Sequence, residues 1–283
     1  MKKLISLLLV LVFGASFAVG CASGAAKSFT IAVPNDPTNE ARALRLLEAN
    51  GLIKLKEGSG ETATKLDIAE NPYNITIEEI EAAQLPSMLK DVDFAVINTN
   101  YAAGAGLNLS TDTVIRESTD VALPNVLAVK EGNENDPKLL ALIAALQSQQ
   151  VADKIASDAS LGAVSVVTNP TDGYNPSIDY AALDGAVITV AASPTPHAEI
   201  LKVAAEILAA KGIALNVIEY TDYVQPNLVV DSGEIDANYF QHVPYMNDFN
   251  ANNGTHLVSL GEIHSEPMGM YCGKLSSLDD LKK

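Results

Sequence analysis

Apolar residues recur along this chain in two rhythms. Short apolar runs at 29–33 (FTIAV), 92–98 (VDFAVIN), 123–129 (LPNVLAV), 186–192 (AVITVAA) and 214–220 read as buried strands bounded by turn residues. Longer stretches carry apolar residues every three to four positions and predict amphipathic helices. One spans 40–50 (EARALRLLEAN), is capped within the Pro34–Asn39 turn and is closed by Gly51; a long one over 136–156 opens at Asp136-Pro137; a third over 198–211 ends at Gly212. Residues 74–81 (NITIEEIE) alternate like a strand, 82–89 form a short helix around Pro86, and 99–107 read as a small-residue turn. A short helix opens at Tyr223–Asn227. Strands follow at 237–240, 257–263 and 268–271, with a helix at 245–251 and a polar tail at 278–283.

Strands alternating with helices imply an α/β fold of parallel sheets covered on both faces. Residues 168–185 (TNPTDGYNPSIDYAALDG) interrupt that alternation with Pro, Gly, Asp and Asn, and 161–185 read as a linker. Two α/β units on either side of it predict two lobes with a ligand cleft between them. Ligands in such folds sit beyond the carboxyl ends of strands, where Asn98, the 35–39 turn, the 193–197 turn and 240–242 all lie.

Composition narrows the function. The 283 residues are 48% hydrophobic and 19% charged, which suits a globular chain. The net charge of −17 argues against nucleic acid and against broad adhesion to anionic lipid. At the amino terminus, Lys2 and Lys3 precede an apolar run and the small residues before Cys21, a secretory signal over 1–20 that ends like a bacterial lipobox. Lipid on Cys21, with 21–28 as its tether, would place the chain on a membrane facing outside the cytoplasm; an ordinary secretory signal with a chance cysteine is the alternative. Cys272 is then the other cysteine, with no partner for an intrachain disulfide.

The densest chemistry lies at 233–247 (GEIDANYFQHVPYMN), where Tyr239, Phe240 and Tyr245 crowd around His242 in a chain of 9 Tyr, 6 Phe and 4 His. Such a run suits an apolar ligand with a polar head; a buried strand with a satisfied histidine is the plainer alternative.

Several segments together resemble the methionine-binding lipoproteins of ABC importers, the MetQ/NlpA family: VAASPTPHAEIL (190–201), DYVQPN (222–227), DANYFQHVPYM (236–246), IAVPNDPTNEARALRLLE (31–48), LIKLK (52–56) and FAVINTNYA (94–102). The resemblance covers nearly all of 29–160 and 186–283, in a different order. In the family the ASPTPHAEIL half comes first, whereas here VPNDPTN follows the signal. The chain therefore reads as a circular permutation, with a piece of a tandem array as the alternative. It divides into a lobe at 29–125 carrying Arg42 and Asn98, a crossing strand and helix at 126–160 packed on the other lobe, and a lobe at 186–283 carrying the aromatic wall. The crossing near 124–130 is expected to be the one covalent connection between lobes, with exchange of lobes between chains as a possible result.

The resemblance implies a two-lobed periplasmic-binding-protein-like fold and a solute-binding function without catalysis or cofactor. Arg42 would hold the ligand carboxylate, Asn98 and Asn125 would bond its amino and carboxyl groups, Tyr223, Phe240 and Tyr245 would wall a thioether, and His242 would be a neutral donor. The plain alternatives are a surface arginine, strand-end asparagines and ordinary core aromatics. The implied partners are methionine (the L form foremost, with D-methionine, a methionine dipeptide or another small amino acid as alternatives) and the permease and ATPase subunits of an importer, the chain itself being a monomer. A metal receptor using His197, His242, His256 and His264 lacks ligand spacing, and no nucleophile motif supports a hydrolase.

Overall fold

The computed structural model describes residues 28–282, so the signal, Cys21 and most of the tether lie outside the described residues. The chain opens with β1 (Phe29–Pro34) and α1 (Pro37–Ala49), followed by a small hairpin of β2 (Lys54–Leu55) and β3 (Ile68–Glu70). It continues through β4 (Ile75–Ile80), α2 (Leu85–Met88), β5 (Phe94–Ile97), α3 (Thr99–Gly104), α4 (Leu109–Asp112) and β6 (Thr113–Arg116). The second unit holds β7 (Pro124–Lys130), α5 (Pro137–Leu146), α6 (Gln149–Ser157), β8 (Val164–Ser165), β9 (Val187–Ala192), α7 (Glu199–Ala209), β10 (Ala214–Glu219), α8 (Gln225–Asp231), β11 (Ala237–His242), α9 (Val243–Asn253) and β12 (Leu257–Ser265). The last strand, β13 (Gly269–Cys272), returns to the first unit.

Beside that hairpin, the described residues form two large sheets, ordered β4-β1-β5-β13-β6 and β10-β9-β11-β7-β12-β8. They share one plan. Three strands of the lobe itself run parallel, and a strand arriving from the other lobe enters antiparallel beside the third: β13 beside β5, β7 beside β11. The expected all-parallel sheets are therefore mixed, because each lobe borrows a strand from its opposite. Gly269 permits the tight entry of β13: a Cβ there would stand 2.5 Å from Thr113 Cγ2 and 2.7 Å from Leu109 Cδ1.

This exchange corrects the expected lobe boundaries. Residues 269–282 do not belong with the aromatic lobe; Met268, Met270 and Leu281 pack in the same core as Phe29, Ile31 and Leu44. The chain crosses between lobes twice, at 117–123 and at 266–268, and the single covalent connection expected from the sequence is wrong. The two crossings bond to each other: Glu117 N–H donates to Met268 O (2.9 Å), and Met268 N–H donates to Glu117 Oε2 (2.7 Å).

Local differences have local causes. The helix expected over 136–156 breaks at Gln147-Ser148, because Ser148 Oγ caps a new helix by accepting Val151 N–H at 3.2 Å. The 99–107 turn is largely helical, as α3. The 161–185 linker is not loose: Tyr174 and Tyr180 pack on the second core, and Tyr174 Oη donates to Ile207 O (3.1 Å). The polar tail forms a short helical turn that buries Leu281. Among the described residues, no helix is long and apolar enough to cross a membrane.

Candidate ligand-binding site

The turn after β1 builds one wall. Asp36 caps α1, accepting Asn39 N–H (3.0 Å) and the Thr38 hydroxyl (3.1 Å), and both its oxygens take Asn39 Nδ2. Burial pushes the Asp36 carboxyl up, while the bonds from Asn39 and Thr38 pull it down. Asn39 Oδ1 is thereby turned to the lobe boundary. There it accepts Asn98 Nδ2 (2.9 Å) and faces His242 Nε2 of the other lobe (3.4 Å). Asn98 sits at the end of β5, and its Oδ1 is buried without a hydrogen-bond partner among the described residues.

One helical turn along α1, Arg42 meets Glu117 rather than open space. Its Nε donates to Glu117 Oε1 (2.8 Å) and its Nη2 to Oε2 (2.6 Å), a bidentate pair with both side chains nearly buried. Nη2 also donates to Glu266 O (2.7 Å). The fork expected to hold a ligand carboxylate is thus taken by Glu117, and Nη1 has no hydrogen bond among the described residues. Arg42 also ties together the two crossings between lobes.

The facing wall comes from β11 and α9. All six β11 residues are buried, and consecutive side chains leave on opposite faces. Tyr239 enters the lobe core, whereas Phe240 joins Tyr223, Tyr245 and Phe249. The Tyr223 ring lies 5.6 Å from Phe240 and 5.7 Å from Tyr245, in tilted and edge contacts. Tyr223 reaches across the cleft: its hydroxyl donates to Asn100 Oδ1 (2.7 Å), and its ring lies 4.8 Å from that of Tyr101. Gln241 lines the cleft too, but its amide is engaged by Asn227 and Asn238.

His242 accepts Tyr245 N–H at Nδ1 (3.1 Å), which leaves the proton on Nε2, facing Asn39. Burial, with the Arg42 charge adding to it, lowers its pKa to about 3, so the ring is neutral. The nitrogen expected to face a ligand is aimed at Asn39 across the lobe boundary.

Beneath the cleft lies a polar cluster that sequence reading missed. Glu266 Oε1 accepts His264 Nε2 (2.9 Å) and stands 3.3 Å from His197 Nε2. The Tyr239 hydroxyl bonds His264 Nδ1, and His197 Nε2 also faces Asn125 Oδ1 (3.2 Å). Burial lowers the His197 pKa to about 3, so that ring is neutral as well. Burial works to raise the Glu266 carboxyl, but the two imidazoles and Arg42 outweigh it and hold the group below its ordinary value. Ligand atoms of His197, His264 and Glu266 lie within 4.8 Å of one another, a set able to hold a metal ion. Their Nε2 atoms both aim at one carboxylate oxygen, the arrangement of a fixed anion. Of the other histidines considered as ligands, His242 bonds elsewhere and His256 is on the surface.

All seven residues singled out from the sequence line one pocket: Arg42, Asn98, Asn125, Tyr223, Phe240, His242 and Tyr245. Asn39, Asn100, His197 and Glu266 line it too. The NDPTN turn could have pointed to Asn39; Glu266, in an ordinary-looking Ser-Glu-Pro turn, carried no signal. The enclosed space is about 30 Å³, room for little more than a water molecule.

A family model described as NlpA lipoprotein matches residues 24–167 and 188–283. The chain is 46% identical over 123 residues to the "D-methionine-binding lipoprotein MetQ" of Salmonella typhimurium, covering 43% of this chain and 45% of that protein. It is 50% identical over 116 residues to the "Membrane lipoprotein TpN32" of Treponema pallidum, covering 41% and 43%. A solved nutrient-binding protein from Burkholderia cenocepacia, bound to methionine, is 59% identical over 30% of this chain and 36% of its own, with a TM-score of 0.29. The chain aligns over less than half the length of these curated relatives.

Proposed function

The chain belongs to the NlpA lipoprotein family, and on that footing we propose that it captures methionine, the L form foremost, and delivers it to an ABC importer. The observation that carries this reading is the composition of one pocket: Arg42 and Asn98 from one lobe face Tyr223, Phe240 and Tyr245 from the other. The guanidinium Nη1 suits a carboxylate, and the aromatic rings suit a thioether, whose sulfur gains roughly 0.3–1.5 kcal/mol per ring contact. The names of MetQ and of the methionine-bound relative support the choice of ligand. No bond is made or broken in this role. The enclosed space is far smaller than an amino acid, so capture needs the lobes to part and shut again. Lipid on Cys21 holds the protein on the outer face of the membrane, and the permease and ATPase subunits take the ligand onward.

The reading extends to segment order. The family match falls in two blocks, and Phe29 shares a core with Leu281, so the two ends of the described chain lie together. Both support a circular permutation in which 161–185 bridges ends that are free in relatives.

Isothermal calorimetry with L-methionine tests the assignment. Saturable heat at micromolar protein is expected; none with methionine, and heat with an unrelated solute, overturns it. D-methionine and a methionine dipeptide in the same series separate the alternatives.

A further inference from the structure

A second and larger cavity lies against Arg42. Its volume is about 490 Å³, the size of a small-molecule site, against about 30 Å³ for the ligand cleft. Arg42 is the residue common to both linings, and its ion pair with Glu117 forms the partition between them. One wall is a stripe of α1, Thr38, Arg42, Arg45 and Ala49, spaced three or four positions apart along one side of the helix. The facing wall is the 117–123 crossing with Arg116 before it, and Pro244 of α9 closes the space from the other lobe.

The chain has three arginines among its 18 basic residues, and all three line this cavity. Arg42 is neutralised by Glu117. Arg45 and Arg116 have no carboxylate partner among the described residues: Arg45 Nη2 donates to Gly60 O, and Arg116 Nη1 lies 3.5 Å from Leu109 O. Beside Glu117 the lining holds one acid, Glu61, so it carries an excess of one positive charge in a protein of net charge −17. Between these charges lie Leu46, Ala49, Val121, Leu123 and Pro244, with Val121 62% exposed. An exposed apolar surface rimmed by unpaired guanidinium forks marks a binding site rather than ordinary surface. A neutral molecule would leave the guanidinium groups unmatched, and an inorganic dianion would leave the apolar wall wet. The complement is one carboxylate on an apolar body.

We propose that this cavity is a second binding site, for a small monoanion with an apolar body such as a medium-chain carboxylic acid. Arg45 and Arg116 hold the carboxylate, and Leu46, Val121, Leu123 and Pro244 take the hydrocarbon. The site is separate from the cleft and does not depend on which solute the cleft receives. Its lining includes one crossing and reaches Pro244, so a molecule lodged there touches both lobes beside the place where they join.

The test is calorimetry on the full chain with octanoate, octan-1-ol and octylammonium, which share a hydrocarbon and differ in charge. Octanoate should bind saturably, one molecule per chain. Replacing both free guanidinium groups, Arg45→Gln with Arg116→Gln, should weaken it roughly threefold to thirtyfold, the range for two exposed charge pairs. Octan-1-ol should bind the wild-type chain more weakly than octanoate by a similar factor, and octylammonium more weakly still. Glu61→Gln, which removes the opposing charge, should tighten octanoate, and Val121→Ser should weaken octanoate and octan-1-ol alike. Arg45, Glu61, Arg116 and Val121 are all exposed, so these variants are expected to fold. Neither Arg45 nor Arg116 lines the ligand cleft, so loss of octanoate in the double variant locates the acid in this cavity. Octanoate that gives no saturable heat, that binds no tighter than octan-1-ol, or that keeps its affinity in the double variant overturns the site.

Discussion

The hydroxyl of Tyr223 donates a 2.7 Å hydrogen bond to Asn100 Oδ1 across the cleft, joining the lobe of α8 to that of α3. With the Tyr101 ring tilted against it, this is a direct side-chain fastening between the two walls. Tyr223→Phe keeps the ring and removes the fastening. A neutral hydrogen bond contributes about 0.5–1.5 kcal/mol, so the shut form becomes less populated and methionine affinity should fall roughly two- to tenfold. Calorimetry gives the affinity, and solution scattering should show a larger radius for the variant without ligand. An unchanged radius and affinity would mean that the bond does not govern closure.

Arg42 belongs both to the lining of the candidate pocket and to the frame that joins the crossings. Arg42→Ala leaves Glu117 as a buried, uncompensated carboxylate and frees the 117 and 266 segments from their common partner. Loss of one member of a buried pair costs about 3–5 kcal/mol. Urea unfolding should show that loss, and calorimetry a strong loss of methionine binding. Pairing the change with Glu117→Gln should recover much of the stability while leaving binding weak. Recovery of both would remove Arg42 from the ligand site.

Stability should depend on pH through the two buried imidazoles. Histidine takes a proton near pH 6.5 in the unfolded chain, whereas His197 and His242 resist it in the folded chain down to about pH 3. Their contribution is therefore complete above pH 6.5 and declines as pH falls towards 3, by about 1.4 kcal/mol per unit for each group. Glu40 works the other way. Burial pushes its carboxyl up to about 7, so its protonation favours the folded form as pH falls from there to the ordinary glutamate range. Comparison with His242→Gln removes such shared contributions. Between pH 6 and 4 the stability of the variant should fall less steeply, by about 1.4 kcal/mol per unit. Equal slopes would show that His242 is protonated in the folded protein.

A chain re-ordered to begin near residue 186 and end near 168, with Lys283 joined to Ser28 by a short polar loop, should fold and bind methionine within about threefold of the original. The grounds are that Phe29 and Leu281 already share a core. Circular dichroism and calorimetry check this, and failure of the re-ordered chain to fold would count against the permutation.

Most strands were legible in the sequence because each is a short apolar run closed by turn residues. The lobe assignment of β13 was not legible. Met268–Tyr271 reads like any buried strand, and only its pairing with Phe94–Ile97 shows to which sheet it belongs. The site divides in the same way. Residues at strand ends and in the aromatic run were found through position and composition. The Arg42–Glu117 pair spans 75 positions, and nothing local announces it. Glu266 was hidden because its meaning depends on His197 and His264, which come from separate elements.

The doubled crossing at 117–123 and 266–268 has a mechanical consequence. A body hung from one flexible strand can swivel about every axis and sample many useless orientations. Two strands bonded side by side and gripped by one guanidinium restrain the lobes as a pin restrains a door, and a swing about that pin is the motion that would part Tyr223 from Asn100. On the proposed function, fewer orientations would then be searched and lost in closing on a solute.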